Sequence, residues 1–322
     1  MNRELPVWRS LLYVPVNVEK FIDKAHTRGA DVLQLDLEDA VPPSEKDKAR
    51  TLVEKNAARV RRGGADVVVR INQPLALAVR DIEHSICPDV DGIAITKADS
   101  ASHVRLLDQL VTELEAKRGM KIGHTQFLTM IETADAFTRI DEIPRASPRV
   151  VAMNIGGEDF ALDLNAQPDD DVLLHPKQRM IIAARAAGVM PLGFIGTVAD
   201  FSDWEKFRAM VRRARRFGFD GAGCIHPGQV KIVNEEYTPS VEEVAYARKV
   251  IQMDKEAAAA GRGSFQIDGK MIDIPVVVRA ERLIRRYEAI KKREARTLAA
   301  SPYEKASPRR TQRTQRKHER HY

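Results

Sequence analysis

The sequence predicts an α/β protein, a (β/α)8 TIM barrel followed by a C-terminal helix–hairpin–helix extension that acts as a lid. Eight short β-rich runs lie between residues 10 and 227, and most of them are separated by helical patterns. Such alternation is typical of parallel strands joined by helical crossovers, and eight repeats of this size match a barrel. A doubly wound open sheet is the competing fold. It is disfavoured because the segment VPVNVEK after the first strand has no glycine for a dinucleotide-binding turn.

The eight predicted strands are short and rich in aliphatic residues, as buried parallel strands are. They are SLLYVP (10–15), DVLQLDLE (31–38), DVVVRIN (66–72), DGIAITK (91–97), QFLTMIE (126–132), RVVAMNI (149–155), VMPLGFIG (189–196) and DGAGCIHP (220–227). Helix-like segments cover roughly 17–28, 44–62, 99–118, 133–142, 175–187 and 202–217. The last of them begins at Ser202-Asp203, a favourable pair for capping a helix N-terminus.

The pattern changes after Tyr237. Pro239-Ser240 opens a helix that runs to about Ala260, and FQIDGKMID then predicts a hairpin turning at Asp268-Gly269. Pro275 begins a final helix. We therefore expect a barrel domain over residues 1–237, a lid extension over 238–298 and a tail over 299–322.

The tail carries most of the net charge. Residues 301–322 contain seven Lys and Arg against two Glu, a charge of +5, which leaves +1 of the total +6 for residues 1–300. The tail has no apolar periodicity and is expected to be disordered. Binding of nucleic acid through the tail is the alternative from another functional class, whereas the nearly neutral folded part gives no reason to expect it.

Composition excludes several other classes. The chain is 43% hydrophobic and 30% charged, as soluble globular proteins are, and no stretch approaches the roughly 18 apolar residues of a membrane span. The N-terminus lacks a signal-peptide layout. Cys87 and Cys224 are the only cysteines, so neither a disulfide framework nor a zinc cluster is supported. We expect a cytoplasmic protein without membrane contact.

Catalytic groups of a barrel lie at the carboxyl ends of its strands. The residues at those positions are Tyr13, Asp36, Glu38, Asp39, Arg70, Asn72, Lys97, Glu132, Asp159 and His226. They are mostly acids and cations, and they do not follow a Ser–His–Asp or Cys–His order. This set points to an anionic substrate held with the help of a hard metal ion.

Several of these carboxylates have two interpretations. Glu132 and Asp159 could share one Mg²⁺ ion from neighbouring strands, or serve as a helix cap and a turn residue. Glu38 and Asp39 are candidates for residues that contact the metal ligands without binding the metal themselves. Arg70 must find an anion, which is either the substrate or one of these two acids.

The candidate lysines are also open to two interpretations. Lys97 could form a Schiff base, although an ion pair is the favoured interpretation. Lys20 and Lys24 lie on one face of the first helix, where they either clamp phosphates or point into solvent.

Nine ordered segments together resemble the citrate lyase β-subunit-like group of the HpcH/HpaI aldolase family. They are RSLLYVP (9–15), LDLEDAV (35–41) with KDKAR (46–50), RIN (70–72), ITK (95–97), MIET (130–133), GGEDF (156–160), GFDGAGCIHPGQV (218–230), the helix start PSVEEV and GKMIDIP (269–275). The segment YVPVNVEKFIDK is most similar to the citramalyl-CoA and malyl-CoA lyase-like branch. The resemblance runs from about residue 9 to 296 and leaves out the basic tail.

The resemblance implies a TIM barrel with a C-terminal lid and a carbon–carbon lyase acting on a 3-hydroxyacyl-CoA such as malyl-CoA, citramalyl-CoA or citryl-CoA. By the same resemblance, Glu132 and Asp159 hold Mg²⁺, and Arg70 binds the keto-acid end. Asp273 is the catalytic acid or base, offered across the interface of a trimer or a hexamer of trimers. A CoA-independent metal aldolase and a thioesterase remain the alternatives within enzymes.

The resemblance also assigns contacts to the rest of the substrate. Tyr13, Lys20 and Lys24 match residues that hold substrate or coenzyme A. The backbone at Gly223 and Cys224 matches a coenzyme A contact region. Coenzyme A is expected as part of the substrate, and Mg²⁺ as the only cofactor.

Overall fold

The eight predicted strands form one parallel sheet in the computed structural model, which describes residues 4–196, 203–261 and 263–300. The strands are β1 Ser10–Pro15, β2 Val32–Asp36, β3 Asp66–Ile71, β4 Gly92–Ile95, β5 Gln126–Ile131, β6 Val150–Ile155, β7 Met190–Pro191 and β8 Ala222–Cys224. Their order in the sheet is β7-β6-β5-β4-β3-β2-β1-β8. The predicted (β/α)8 architecture is confirmed.

The two outer strands of this sheet meet and close the barrel. Leu192, just after β7, forms a parallel bridge with Gly221, just before β8. Gly193 N donates to Gly221 O at 2.8 Å, and Asp220 N donates to Pro191 O at 2.9 Å. β7 is only two residues long, so these few hydrogen bonds carry the closure.

Helices surround the barrel. Within the described residues they are α1 Glu19–Ala25, α2 Lys46–Arg50, α3 Val53–Val60, α4 Leu75–Ser85, α5 Ala101–Lys117, α6 Ala134–Thr138, α7 Gly157–Asp163, α8 Asp170–Ala187, α9 Trp204–Phe217, α10 Pro227–Glu236, α11 Val241–Ala259 and α12 Ile274–Ala300, with 3-10 turns at Pro43–Glu45, Arg61–Gly63 and Ile143–Arg145. None of these helices is long and apolar enough to cross a membrane.

Three helices lie where the sequence predicted none, namely α4, α7 and α10. The last two begin at glycine or proline, which locally resemble loops, and packing against the barrel overrides that signal. α8 begins at Asp170, capped by Asp169, rather than near Pro176, which lies inside the helix. Ser202 is outside the described residues, but Asp203 caps α9 as expected, accepting from the backbone of Glu205 and Lys206.

The barrel interior changes character along its axis. Its lower part is an apolar cluster that includes Trp8, Leu11, Val32, Val68, Leu128 and Met190. Side chains two residues apart on a strand point to the same face. Tyr13 therefore follows Leu11, Arg70 follows Val68 and Glu132 follows Met130 on the inward face, so the carboxyl end of the barrel becomes polar.

The C-terminal extension has the predicted helix–hairpin–helix form. β9 Phe265–Ile267 pairs antiparallel with β10 Lys270–Ile272. The turn between them has Asp268 at φ 50° and Gly269 at φ 77°, as a two-residue type I′ hairpin requires. The hairpin packs on α11 and α12 in its own apolar cluster, which includes Val250, Ile267 and Ile272.

The second half of α12 lies across the amino-terminal end of the chain's own barrel. Arg293 pairs with Asp31 at 3.2 Å and Asp66 at 2.7 Å, residues just before β2 and at the start of β3. Arg286 Nη2 donates to Asp220 O at 2.8 Å, just before β8. The extension therefore packs against the underside of the barrel, and a lid over the chain's own carboxyl-end mouth is not confirmed. Residues 299 and 300 still belong to α12, and 301–322 lie outside the described residues.

We predict that Arg293→Met will destabilise the protein by about 3 kcal/mol, because it leaves the carboxylates of Asp31 and Asp66 short of a buried partner. The matched control is Arg285→Met on the same helix. Arg285 is 63% exposed and pairs with an exposed glutamate at 3.6 Å, so its loss should cost no more than about 0.5 kcal/mol. Urea unfolding of the two variants measures the difference, and equal midpoints would contradict the anchoring role.

Candidate functional site

A cavity of about 830 Å³ opens at the carboxyl ends of the strands. Five of the residues predicted for substrate or metal binding line it: Tyr13, Arg70, Glu132, Asp159 and Gly223. They come from β1, β3, the end of β5, α7 and β8. The carboxyl ends of the strands therefore bring distant segments of the chain to one site, as expected for a barrel.

Arg70 is held by a cluster of three acids. Its Nε and Nη2 donate to the two carboxylate oxygens of Asp36 at 2.8 and 2.6 Å. Its Nη1 lies 2.8 Å from Glu38 and 3.1 Å from Asp39. The register of β2 and β3 places Asp36 directly opposite Arg70, so the fork-to-fork pair follows from the strand alignment.

The ion pairs keep the guanidinium charged. Burial acts against the charge of Arg70, but the hydrogen bonds and charge of Asp36 raise its pKa above the usual value. The structural partners that the sequence left open, Glu38 and Asp39, are both present, and Asp36 is an additional partner. Asp39 is 69% exposed, so a substrate anion can displace it without disturbing the buried pair with Asp36.

Tyr13 and Gly223 form one wall of the cavity next to Arg70. The guanidinium carbon of Arg70 lies 4.9 Å from the centre of the Tyr13 ring, a cation–π distance. A Cβ at Gly223 would come within 3.0 Å of Tyr13 Cε2, so glycine makes room for the ring. Burial raises the pKa of Tyr13 to about 12, which keeps its hydroxyl protonated at neutral pH.

Lys97 connects the two predicted metal ligands. Its backbone N–H donates to Glu132 Oε2 at 2.8 Å, and its Nζ donates to Asp159 Oδ1 at 3.0 Å. The same Nζ lies 3.7 Å from Glu38. Lys97 has φ 47°, an uncommon conformation for a residue with a side chain and one that clusters at functional sites.

The ion-pair interpretation of Lys97 fits these contacts better than the Schiff base. Burial acts to lower the pKa of Lys97, but the hydrogen bond that Lys97 donates to Asp159 and the charges of the nearby acids raise it overall. A charged ammonium is not nucleophilic, so the lysine is held in the unreactive form.

Glu132 lies in a space created by a glycine. It is 3% exposed, and burial raises the pKa of its carboxyl group. A Cβ on Gly156 would come within 2.4 Å of Glu132 Oε1. The GG of the GGEDF segment therefore leaves room for this carboxylate and starts the helix that carries Asp159.

Glu38 is a second acid of this site whose pKa is raised. Burial raises its pKa to about 7, the charges of Asp39 and Glu132 add to the rise, and Arg70 and Lys97 oppose it. Glu38 touches both Arg70 and Lys97. It therefore links the arginine cluster to the lysine that joins Glu132 and Asp159.

The loop after β2 is fixed by a buried polar network. Lys46 Nζ donates to the carbonyls of Leu37 and Glu38 and to Asn72 Oδ1, at 3.0, 2.9 and 2.6 Å. Asn72 Nδ2 in turn donates to Asp81 at 2.7 Å. The strand-end residue Asn72 thus positions the acids around Arg70 and does not line the main cavity.

The two lysines predicted to bind coenzyme A do not line the cavity. Lys20 and Lys24 are exposed on α1, whereas Phe21, Ala25 and Arg28 of the same region face the cavity. The positions 21, 25 and 28 follow helical spacing, one residue away from the face that was expected. A phosphate contact of Lys20 or Lys24 outside the cavity stays a prediction.

Cys224 is fully buried, and burial raises the pKa of its thiol. Its side chain does not line the cavity, although the neighbouring Gly223 does. Any contact of Cys224 with coenzyme A is therefore limited to its backbone and stays a prediction.

Asp273 is exposed and belongs to no described part of the cavity wall. The two isoleucines on either side of Asp273 do not enclose it in the single chain. Ile272 is buried in the hairpin cluster, but Ile274 is 73% exposed, as is Met271 at 69%. Asp273 stands at the start of α12, where its carbonyl accepts from Val276 and Val277.

Other cavity residues were missed by the strand-end rule. Lys177 lies in the middle of α8, and Arg28 follows α1, so neither position is marked by a strand. Asn154 near the end of β6 also lines the cavity, and its Oδ1 is buried without a hydrogen-bond partner among the described residues. The inward orientation of Asn154 could have been predicted from the period-two pattern of RVVAMNI.

The side chains fit a magnesium ion better than a transition metal. No cluster of three or more His, Cys, Asp or Glu residues with metal-binding geometry occurs in the described parts of the chain. Mg²⁺ is usually held by one or two carboxylates, with water and substrate oxygens as the remaining ligands. Glu132 and Asp159 supply two carboxylates that line the cavity, and Asn154 lines it as well.

Comparisons with known proteins agree with this site. The family model for HpcH/HpaI aldolase/citrate lyase matches residues 9–227. Citrate lyase subunit beta from Leuconostoc mesenteroides subsp. cremoris is 34% identical over 288 residues, covering 88% of this chain and 94% of the relative. L-malyl-CoA/beta-methylmalyl-CoA lyase from Cereibacter sphaeroides is 33% identical over 305 residues, covering 88% of this chain and 95% of the relative.

A solved structure gives the same result. CitE from Mycobacterium tuberculosis, in complex with magnesium, acetoacetate and coenzyme A, aligns with a TM-score of 0.67 and 29% identity over 87% of this chain and 97% of its own. The resemblance drawn from the sequence segments is confirmed. The chain belongs to the HpcH/HpaI aldolase/citrate lyase family of lyases.

Proposed function

We propose that the protein is a Mg²⁺-dependent carbon–carbon lyase that cleaves, or forms, a 3-hydroxyacyl-CoA from an acyl-CoA and an α-keto acid. The observation that carries the proposal is the arrangement of Glu132 and Asp159 on either side of Lys97, next to Arg70 in one cavity. Relatives of both citrate lyase and malyl-CoA lyase type match at similar identity. The magnesium and coenzyme A of the CitE structure support the same class of substrate.

Glu132 and Asp159 would hold the metal. When bound there, Mg²⁺ would polarise the keto or hydroxyl oxygen of the substrate as a Lewis acid. Lys97 would keep Glu132 oriented through its backbone N–H, which depends on the backbone and not on the ammonium group. The ammonium on Asp159 would have to yield to the metal or share that carboxylate with it.

Arg70 would stabilise the charge that develops on the keto-acid oxygen. Its guanidinium is already fixed by Asp36, so little reorganisation is needed during the reaction. Tyr13 keeps its proton and can donate a hydrogen bond beside it. In cleavage, the hydroxyl proton leaves, the carbon–carbon bond breaks, and its electrons form the thioester enolate, which then takes up a proton at carbon.

Asp273 would handle that last proton, and it would do so in the cavity of a neighbouring copy. The extension packs under the barrel of its own chain. We therefore assign Asp273 to the cavity of another copy and not to the cavity of its own chain. The exposed side chains of Met271 and Ile274 flank Asp273 and give the segment an apolar surface for docking. A homo-oligomer, a trimer or a hexamer of trimers, follows from this proposal.

A substrate panel tests the function. Purified protein with Mg²⁺ should release free α-keto acid from at least one of malyl-CoA, β-methylmalyl-CoA, citramalyl-CoA and citryl-CoA. Turnover should stop when the metal is chelated and should be unchanged in a variant that ends at residue 300. Activity on a CoA-free hydroxy-keto acid alone would favour the metal aldolase, and free thiol release without keto acid would favour the thioesterase. Dependence on residues 301–322 would favour the nucleic-acid alternative.

Gly156→Ala tests the metal site. The new Cβ would lie 2.4 Å from Glu132 Oε1 and should displace that carboxylate, lowering Mg²⁺ affinity at least about tenfold. Gly263→Ala is the control, since nothing lies within 4 Å of its added Cβ. Calorimetric titration of both variants with Mg²⁺ gives the comparison. Unchanged affinity in Gly156→Ala would mean that Glu132 is not a ligand.

Subunit complementation tests Asp273. Asp273→Asn should keep Mg²⁺ binding and lose turnover, and Glu132→Gln should lose both. If each site combines Glu132 of one copy with Asp273 of another, co-expressed inactive variants should regain about a quarter of wild-type turnover, the statistical share of intact sites. Mixtures that stay inactive, or full turnover in Asp273→Asn alone, would rule out this role.

A further inference from the structure

We propose that Lys177 binds a carboxylate of the substrate other than the one beside the metal, so that the cavity selects a substrate with an additional carboxylate. The inference rests on the proposed function for the reaction itself. The carboxylate contact can nevertheless be measured by binding, without turnover.

Lys177 is a buried cation in the cavity wall. It lies on α8 and is 4% exposed, yet its side chain lines the same cavity as Arg70 and Glu132. Its Nζ donates to the carbonyl of Gly196. An ammonium has three N–H donors, so two of them have no acceptor among the described residues.

No carboxylate of the described residues pairs with this ammonium. The acids whose charges act on it are Asp170 and Glu158. Asp170 instead forms an ion pair with Arg213, and Glu158 is exposed. Burial therefore prevails and lowers the pKa of Lys177 to about 8, which leaves the side chain mostly protonated at neutral pH.

The other cationic side chains that line the cavity are either paired with acids or exposed to solvent. Arg70 is compensated by Asp36, Glu38 and Asp39. Arg28 is exposed and needs no partner. Lys177 alone among the described lining residues combines burial with a missing counter-charge.

A buried ammonium that has no carboxylate partner among the described residues is destabilising, and ionisable groups in such surroundings cluster at functional sites. The hydrogen bond to Gly196 does not explain the charge, because an uncharged donor would serve that carbonyl equally well. A carboxylate satisfies both the charge and the remaining donors. Lys177 reaches the cavity from α8 and bonds to Gly196 after β7, whereas Glu132 lies at the end of β5 and Asp159 on α7. We therefore assign to Lys177 a carboxylate distinct from the group held beside the metal.

Binding of matched acids tests the proposal. In the presence of Mg²⁺, wild-type protein is titrated calorimetrically with pairs of 2-hydroxy acids of equal chain length: malate and 2-hydroxybutyrate, 2-hydroxyglutarate and 2-hydroxypentanoate, 2-hydroxyadipate and 2-hydroxyhexanoate. At least one diacid should bind about tenfold more tightly than its monoacid partner, as a charged hydrogen bond implies. Lys177→Met should abolish that preference and leave the monoacid affinities unchanged. Lys231→Met is the control, since Lys231 is 84% exposed and its loss should leave the preference intact.

Thermal unfolding separates this role from a structural one. Lys177→Met removes an uncompensated charge, so the ligand-free variant should melt at a higher temperature than wild type. A lower melting temperature with an unchanged diacid preference, or no diacid preference in any wild-type pair, would overturn the inference. If the diacid preference depends on Lys177 but no thioester is cleaved, the proposed function fails and this inference stands. If a thioester is cleaved but the diacid preference does not depend on Lys177, the proposed function stands and this inference fails.

Discussion

The buried ion pair between Asp36 and Arg70 is the interaction on which the site depends. It joins two neighbouring strands at directly opposed positions, with both oxygens of the acid engaged. Removing Arg70 would leave Asp36 as a buried charge without its ion-pair partner, and removing Asp36 would leave Nε and Nη2 of Arg70 without their acceptors. The pair also fixes the guanidinium plane over Tyr13 and directs its remaining edge toward Glu38 and Asp39. One strand register thus decides where positive charge stands in the cavity.

The acids around this pair are too numerous to be satisfied by arginine alone. Glu38 and Glu132 have raised pKa values because burial disfavours their charged forms. Lys97 offsets part of this repulsion by contacting Glu132 through its backbone and Asp159 through its ammonium. A divalent cation can neutralise the excess of negative charge that these acids bring to the cavity. Lys177, in contrast, is a local excess of positive charge. The two imbalances are what the proposed binding of a metal ion and a polyanionic substrate would neutralise.

Much of this arrangement could be predicted from the sequence. Parallel strands bring their carboxyl ends to one face, so a list of strand-end residues already contained Tyr13, Arg70, Glu132 and Asp159. The pairing of Arg70 with Asp36 could not be predicted, because it depends on the register between β2 and β3. Lys177 could not be predicted either, since it reaches the cavity from the middle of a helix that the sequence placed only in part. On α1, the residues that line the cavity lie one position after the predicted lysines. One position along a helix turns a side chain by about 100°.

The hairpin illustrates a different limit, because the role proposed for Asp273 lies beyond the single chain. Periodicity gave the correct turn at Asp268-Gly269, and the positive φ angles there account for that acid. Asp273 precedes α12, where an acid is favoured at the helix N-terminus, and it is exposed on an extension anchored under its own barrel through Arg293. The anchor is rigid and buried, and it holds the hairpin at the far end of α12, with apolar side chains beside the acid exposed to solvent. A surface that is fixed by buried ion pairs yet leaves Met271 and Ile274 uncovered is suited to meet another subunit, and in the proposed oligomer Asp273 would complete the site of a neighbouring copy.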